Sequence, residues 1–86
     1  MPIISAFFGI VIRMYYDDHN PPHFHAEYQG EKAVIDFKGN ILKGDFKSRT
    51  ALRLIRDWID LHVKELNEDW KLAREGKEVK KISPLD

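Results

Sequence analysis

The sequence predicts an α+β domain: an antiparallel sheet of about four strands, with a fifth C-terminal edge strand as an option, packed against one long C-terminal helix. Three observations carry that expectation. Residues 8–45 are a series of short apolar runs broken by Gly, Pro and Asn, the pattern of brief strands joined by turns. From about Ser48 the apolar period lengthens to three or four residues, which is helical. The links between the strand-like runs are too short for a parallel crossover, so neighbours pair antiparallel. The 86 residues are read as one domain, with strands and a histidine turn in 1–45, the helix in 48–75 and a basic tail in 77–86.

In chain order, residues 8–16 alternate as one strand, with Ile10, Ile12, Met14 and Tyr16 on one face and Val11, Arg13 and Tyr15 on the other. Because both faces are partly apolar, it reads as a central strand. A turn then holds Asp17, Asp18, His19, Asn20, Pro21 and Pro22; the two prolines fix φ and remove two backbone donors, so the ladder cannot run through them. The second strand, 23–28, puts His23, His25 and Glu27 on one face and Phe24, Ala26 and Tyr28 on the other. Across the link Gln29-Gly30-Glu31 lies the third, 32–37, whose Ala33, Ile35 and Phe37 continue the apolar face while Lys32 and Asp36 lie near Glu27 and His25. A turn at Lys38-Gly39-Asn40 leads to a short strand over 41–45.

The helical stripe runs Leu52, Ile55, Ile59, His62, Leu66, Trp70 and Ala73, with Ser48 as N-cap and Gly76 as the C′ residue. An unbroken helix over 48–75 spans ~42 Å, more than a domain of this size is wide. Its second half therefore either projects, presenting Leu66, Trp70 and Ala73 to a second copy or a small protein partner, or kinks near Asn67 and folds back. His62 sits at the core edge between Ile59 and Leu66.

The chemistry concentrates in and after the turn. His23 and His25, two residues apart on a strand, have Cα atoms ~6.5–7 Å apart, within reach of one metal ion. With His19 and Asp18 they form a candidate site for zinc or another divalent metal. The same face is a candidate catalytic site without metal: His23 or His25 and Glu27 supply acid and base, and Arg13 with Lys32 supplies cations for a phosphate. The competing interpretation is a solvated polar sheet face with ordinary turn residues. A histidine triad needs a third His where Glu27 stands, and cupin spacing places its Glu farther on, so neither pattern fits. The Met1-Pro2-Ile3 start resembles the tautomerases, but a strand running into a histidine turn departs from them.

Composition narrows the classes further. With no cysteine, thiolate ligands and Cys nucleophiles are excluded, which fits a reducing cytoplasm. A formal net charge of zero leaves nucleic-acid binding to a local patch, of which Arg49, Arg53 and Arg56 with the basic tail are one candidate. The pairs Arg53–Asp57 and Arg56–Asp60 describe a solvated helix face equally well. No apolar run is long enough to span a membrane, and the N-terminus lacks the basic region of a signal peptide, so a cytoplasmic protein is expected.

The segments Pro2-Ile3-Ile4-Ser5, Gly9-Ile10, Arg13-Met14-Tyr15 and Asp18-His19-Asn20-Pro21-Pro22-His23-Phe24-His25-Ala26, the helix over 52–70 and Lys80-Lys81-Ile82 together resemble a bacterial family of unknown function. Members of that family are small and often encoded in toxin-antitoxin-like gene pairs. The resemblance implies a compact bacterial protein with a protein partner and supplies no catalytic residue. Two functions fit these residues: a protein-binding component of a two-gene toxin-antitoxin-like module, and a small hydrolase such as a ribonuclease using the His23, His25 and Glu27 sheet face, with or without a metal ion.

Overall fold

The structure, a computed structural model, describes residues 2–16 and 19–86. Its elements are β1 (Ile3–Phe7), β2 (Ile10–Arg13), β3 (His23–Tyr28), β4 (Glu31–Asp36), β5 (Ile41–Gly44) and α1 (Arg49–Arg74). The strands form one antiparallel sheet in the order of the chain. The α+β expectation holds, and β3 is the central strand.

The single strand expected over 8–16 is instead the second arm of a hairpin. Phe8 and Gly9 turn the chain with φ of 50° and 81°, and Phe7 faces Ile10 across them. Two successive positive φ values are what a two-residue hairpin loop needs to match the strand twist. Gln29 and Gly30, at 49° and 80°, repeat the device between β3 and β4. The fifth strand is thus N-terminal. Residues 77–86 form no strand, although Ile82 N–H donates to the Ile4 carbonyl at 2.7 Å.

One sheet face is apolar and covered. Ile10, Ile12, Phe24, Ala26, Ala33 and Ile35 are buried on it, as alternation requires, and Leu52, Ile55, Trp58 and Ile59 of α1 close over them. Trp58 lies at the centre of this contact, with its ring 5.5 Å from Phe7 and 5.7 Å, edge-on, from Phe24. Its indole N–H donates to the Ser83 carbonyl at 2.9 Å, which satisfies a buried donor and ties down the tail.

The termini of α1 follow from local chemistry. Ser48 Oγ accepts from Ala51 N–H at 3.1 Å, an N-cap bond. At the other end Gly76, with φ of 70°, lets its own N–H donate to Ala73 and that of Lys77 donate to Leu72, at 3.1 and 2.8 Å. Those two bonds satisfy carbonyls the helix leaves open.

The helix is bent, five residues before the position expected. His62 has φ −129° and ψ 21°, outside helical geometry, and its Nδ1 lies 2.7 Å from Glu65 Oε1. At ~1.5 Å per residue the 26 residues of α1 would measure ~39 Å if straight, beyond the molecule's longest extent of 34 Å. The bend returns the second half to the sheet end. Leu66, Trp70 and Ala73, expected at an interface with another chain, are therefore core residues of this one, 0%, 8% and 1% exposed. The Trp70 ring packs edge-on to Phe37 at 6.3 Å and against His23 at 5.3 Å, closing the end of the sheet where β3 begins.

Candidate functional site

On the face away from the helix, register brings side chains from four strands into one row. Arg13 of β2 is opposite His25 of β3, His25 opposite Val34 of β4, and Val34 opposite Lys43 of β5. The adjacent row sets Glu27 opposite Lys32. Around these residues lies a cleft of about 390 Å³ lined by Arg13, Tyr15, His25, Glu27, Lys32 and Lys43, with Val34 and Gly44 below them.

β5 reaches this position because of its glycine. A register shift falls between Val34 and Ile35, and Gly44 has φ of 75°. A Cβ on Gly44 would stand 2.2 Å from the Lys32 carbonyl oxygen, so only glycine allows β5 this close to β4. Lys43, the preceding residue, then lines the cleft.

Among the described residues three cationic side chains and one carboxylate line the cleft, an excess of positive charge in a chain of zero net charge. The carboxylate is committed to one of the cations: Arg13 Nη1 donates to Glu27 Oε2 at 3.4 Å, with both side chains about one-third exposed. At that length and exposure the pair contributes little stability and serves chiefly to orient the guanidinium. A guanidinium has five N–H donors and this contact uses one, so Arg13 can still bind an anion. The Tyr15 ring stands edge-on to His25, with centroids 4.2 Å apart and planes at 84°, which fixes the imidazole beside the cations.

Of the expected catalytic set, the cleft brings together Arg13, His25 and Glu27 and leaves out His23. His23 is 8% exposed, with Nδ1 2.7 Å from the Pro21 carbonyl oxygen and its ring between Trp70 and His25. Alternation places His23 and His25 on one face, but the returning half of α1 covers the first strand position. Asp36, expected beside His25, is opposite His23 instead. Its carboxylate accepts from the N–H of Lys38 and from both backbone and side chain of Asn40, at 2.9, 2.8 and 3.1 Å, which builds the β4–β5 turn.

The metal set expected from the sequence, His19, His23, His25 and Asp18, falls partly outside the described residues. Among the described residues no three His or carboxylate side chains are grouped to hold an ion, and Asp18 lies outside the described residues. The helix arginines brace the fold: Arg49 Nη2 donates to Asp45 Oδ2 and the Phe46 carbonyl at 3.2 and 2.7 Å, and Arg56 Nε donates to the Gly39 carbonyl at 3.0 Å. Arg53 lies 3.9 Å from Asp57.

Lys43 and Tyr15 are the site residues the motifs did not single out. Tyr15 shares the Arg13 face by alternation, so a signal for it existed. Lys43 had none, because its side of the sheet depends on a register shift.

Fold and cleft together define a small α+β protein with one sheet face sealed by a helix and the other open and cationic. The chain belongs to the family described as a domain of unknown function, DUF4160, whose model matches residues 9–71. All the cleft-lining residues named above fall inside that span. No curated protein and no solved structure matches the chain. No helix among the described residues is long and apolar enough to cross a membrane.

Proposed function

We propose that the open sheet face is the site of a small hydrolase acting on RNA. One observation carries this reading: Arg13, Lys32 and Lys43 line a single cleft with His25, and the one carboxylate there among the described residues, Glu27, is bonded to Arg13. Cations fixed around a site stabilise the charge that builds on phosphate oxygens during attack. An imidazole among them can take the proton of the attacking hydroxyl as a general base. Glu27 holds Arg13 in place. The test is incubation of purified protein with RNA, with and without chelator. His25→Ala and Arg13→Ala are each expected to abolish cleavage while the melting midpoint stays near that of the wild type. RNA left uncut by the wild type under all metal conditions ends the hydrolase reading.

A second reading, an interaction component of a two-gene toxin-antitoxin-like module, is favoured by Phe8. This aromatic side chain is 58% exposed at a φ of 50°, a conformation costly for a bulky residue. The hairpin needs the positive φ but not an exposed aromatic ring at this position, and a partner that buries the ring gives it a purpose. Co-expression with the adjacent gene's product is expected to yield a complex that Phe8→Ser weakens. Equal yield of complex from both forms removes the reason for this reading.

A further inference from the structure

We infer that the ligand of the open face is a single strand, with an unpaired base on Tyr15 and its phosphates on Arg13, Lys32 and Lys43. The inference rests on the reading of this face as an RNA site and adds which form of RNA it takes. The cations are spread across the sheet: Arg13 is on β2 and Lys43 on β5, three strand spacings apart. At ~4.8 Å per spacing their backbones are ~14 Å apart, a spread that suits successive phosphates of a chain laid across the strands.

The cleft between them holds about 390 Å³, the size of a small-ligand pocket, so it takes in a base and its sugar rather than the flank of a duplex. A base enters such a pocket only if it is unpaired. Tyr15 lines the cleft, and its edge-on contact with His25, 4.2 Å between centroids, holds the ring in one orientation. A fixed aromatic ring beside a track of cations is the combination that holds single strands: stacking grips the base and ion pairing grips the backbone. With a formal net charge of zero, the rest of the molecule adds no general attraction that would draw in duplexes.

The two kinds of contact respond differently to salt, and the experiment uses that difference. Binding of a labelled eight-nucleotide RNA with 2′-O-methyl sugars, which lack the attacking hydroxyl, its duplex and the same single-stranded DNA is measured across a salt series with the His25–Tyr15 contact intact. Single-stranded RNA is expected to bind at least tenfold more tightly than the duplex. The slope of log K against log salt should be ~−2, from about −0.7 for each of three cations. Lys32→Gln and Lys43→Gln should each flatten the slope by about 0.7. Tyr15→Ala should weaken binding on the order of tenfold at unchanged slope, and Tyr15→Phe should restore it. Tyr15→Leu, which keeps bulk without a π face, repeats the test should the alanine variant melt early.

Equal affinity for duplex and single strand, or Tyr15 variants that bind like their parent, overturns the inference. Cleavage by the wild type is scored separately: single-strand preference without cleavage removes the hydrolase reading and leaves this one standing. Single-stranded DNA binding as tightly as RNA keeps the single-strand geometry and overturns the assignment to RNA.

Discussion

Asp69 is a carboxylate taken into the core, 2% exposed, with one oxygen accepting from Lys80 N–H at 2.9 Å and the other without a hydrogen-bond partner. Burial raises its pKa above the ordinary 3.8, with Glu65 and Glu68 adding to the effect and the bond from Lys80 opposing it. The folded chain then holds this proton more tightly than the unfolded chain does. Stability from Asp69 is fully present below 3.8 and is lost as pH rises through the folded pKa. Asp69→Asn keeps an acceptor for Lys80 and removes the charge. It should melt higher than the wild type at pH 7, with the difference closing below pH 3.8. A difference that is flat with pH, or of opposite sign at pH 7, would show that the charge is not what matters there. Asp36 has the opposite sign: burial opposes it, but the bonds from Asn40 and Lys38 win and lower its pKa. Its contribution is present above the ordinary value and fades as pH falls through the folded one.

At the scale of elements, the bend at His62 and the approach of β5 decide what the site looks like. Trp70 is nearly buried between Phe37 and His23, so Trp70→Ala should cost about 3–5 kcal/mol in urea unfolding. A loss under 1 kcal/mol would mean that the second half of α1 does not rest on the sheet end. Gly44→Ala tests the other element, because its methyl would meet the Lys32 carbonyl and its φ of 75° disfavours any side chain. The variant should separate β5 from β4 and weaken the RNA binding proposed for the cleft, although Lys43 itself is unchanged. Retained binding would show that Lys43 is not held in place by this pairing. The sequence carried the period of α1 and both its caps, but not its bend, since neither proline nor glycine marks His62. It carried β3 and β4 through strict alternation. It hid β1 because the turn before β2 uses Phe8 at a positive φ, where residue type points to Asn, Asp or Gly.

For the whole molecule the deciding segment is the tail, which composition presented as a basic arm or an edge strand and which folds as a strap. Lysines mark it as soluble, but Val79 and Ile82 are 8% and 4% exposed and Leu85 packs against the core. Period-2 spacing told nothing here, because the tail runs from α1 to β1 in irregular backbone and buries side chains at places set by its anchors. Those anchors are Lys80 N–H on Asp69, Ile82 N–H on Ile4 and the Ser83 carbonyl under Trp58. Removing residues 77–86 would forfeit the burial of Val79 and Ile82, worth roughly 1.5–3 kcal/mol each, and leave the indole N–H of Trp58 without its acceptor, at about 1–3 kcal/mol more. A small domain holds only ~5–15 kcal/mol in total. The truncated chain should therefore lose cooperative melting or melt far lower, and Ile82→Ala in the full chain should cost about 2–5 kcal/mol. Lys80→Gln with Lys81→Gln, which removes the charge and keeps the backbone, should melt like the wild type. If instead the lysine changes destabilise the fold and Ile82→Ala does not, the tail acts through its charge and the strap is refuted.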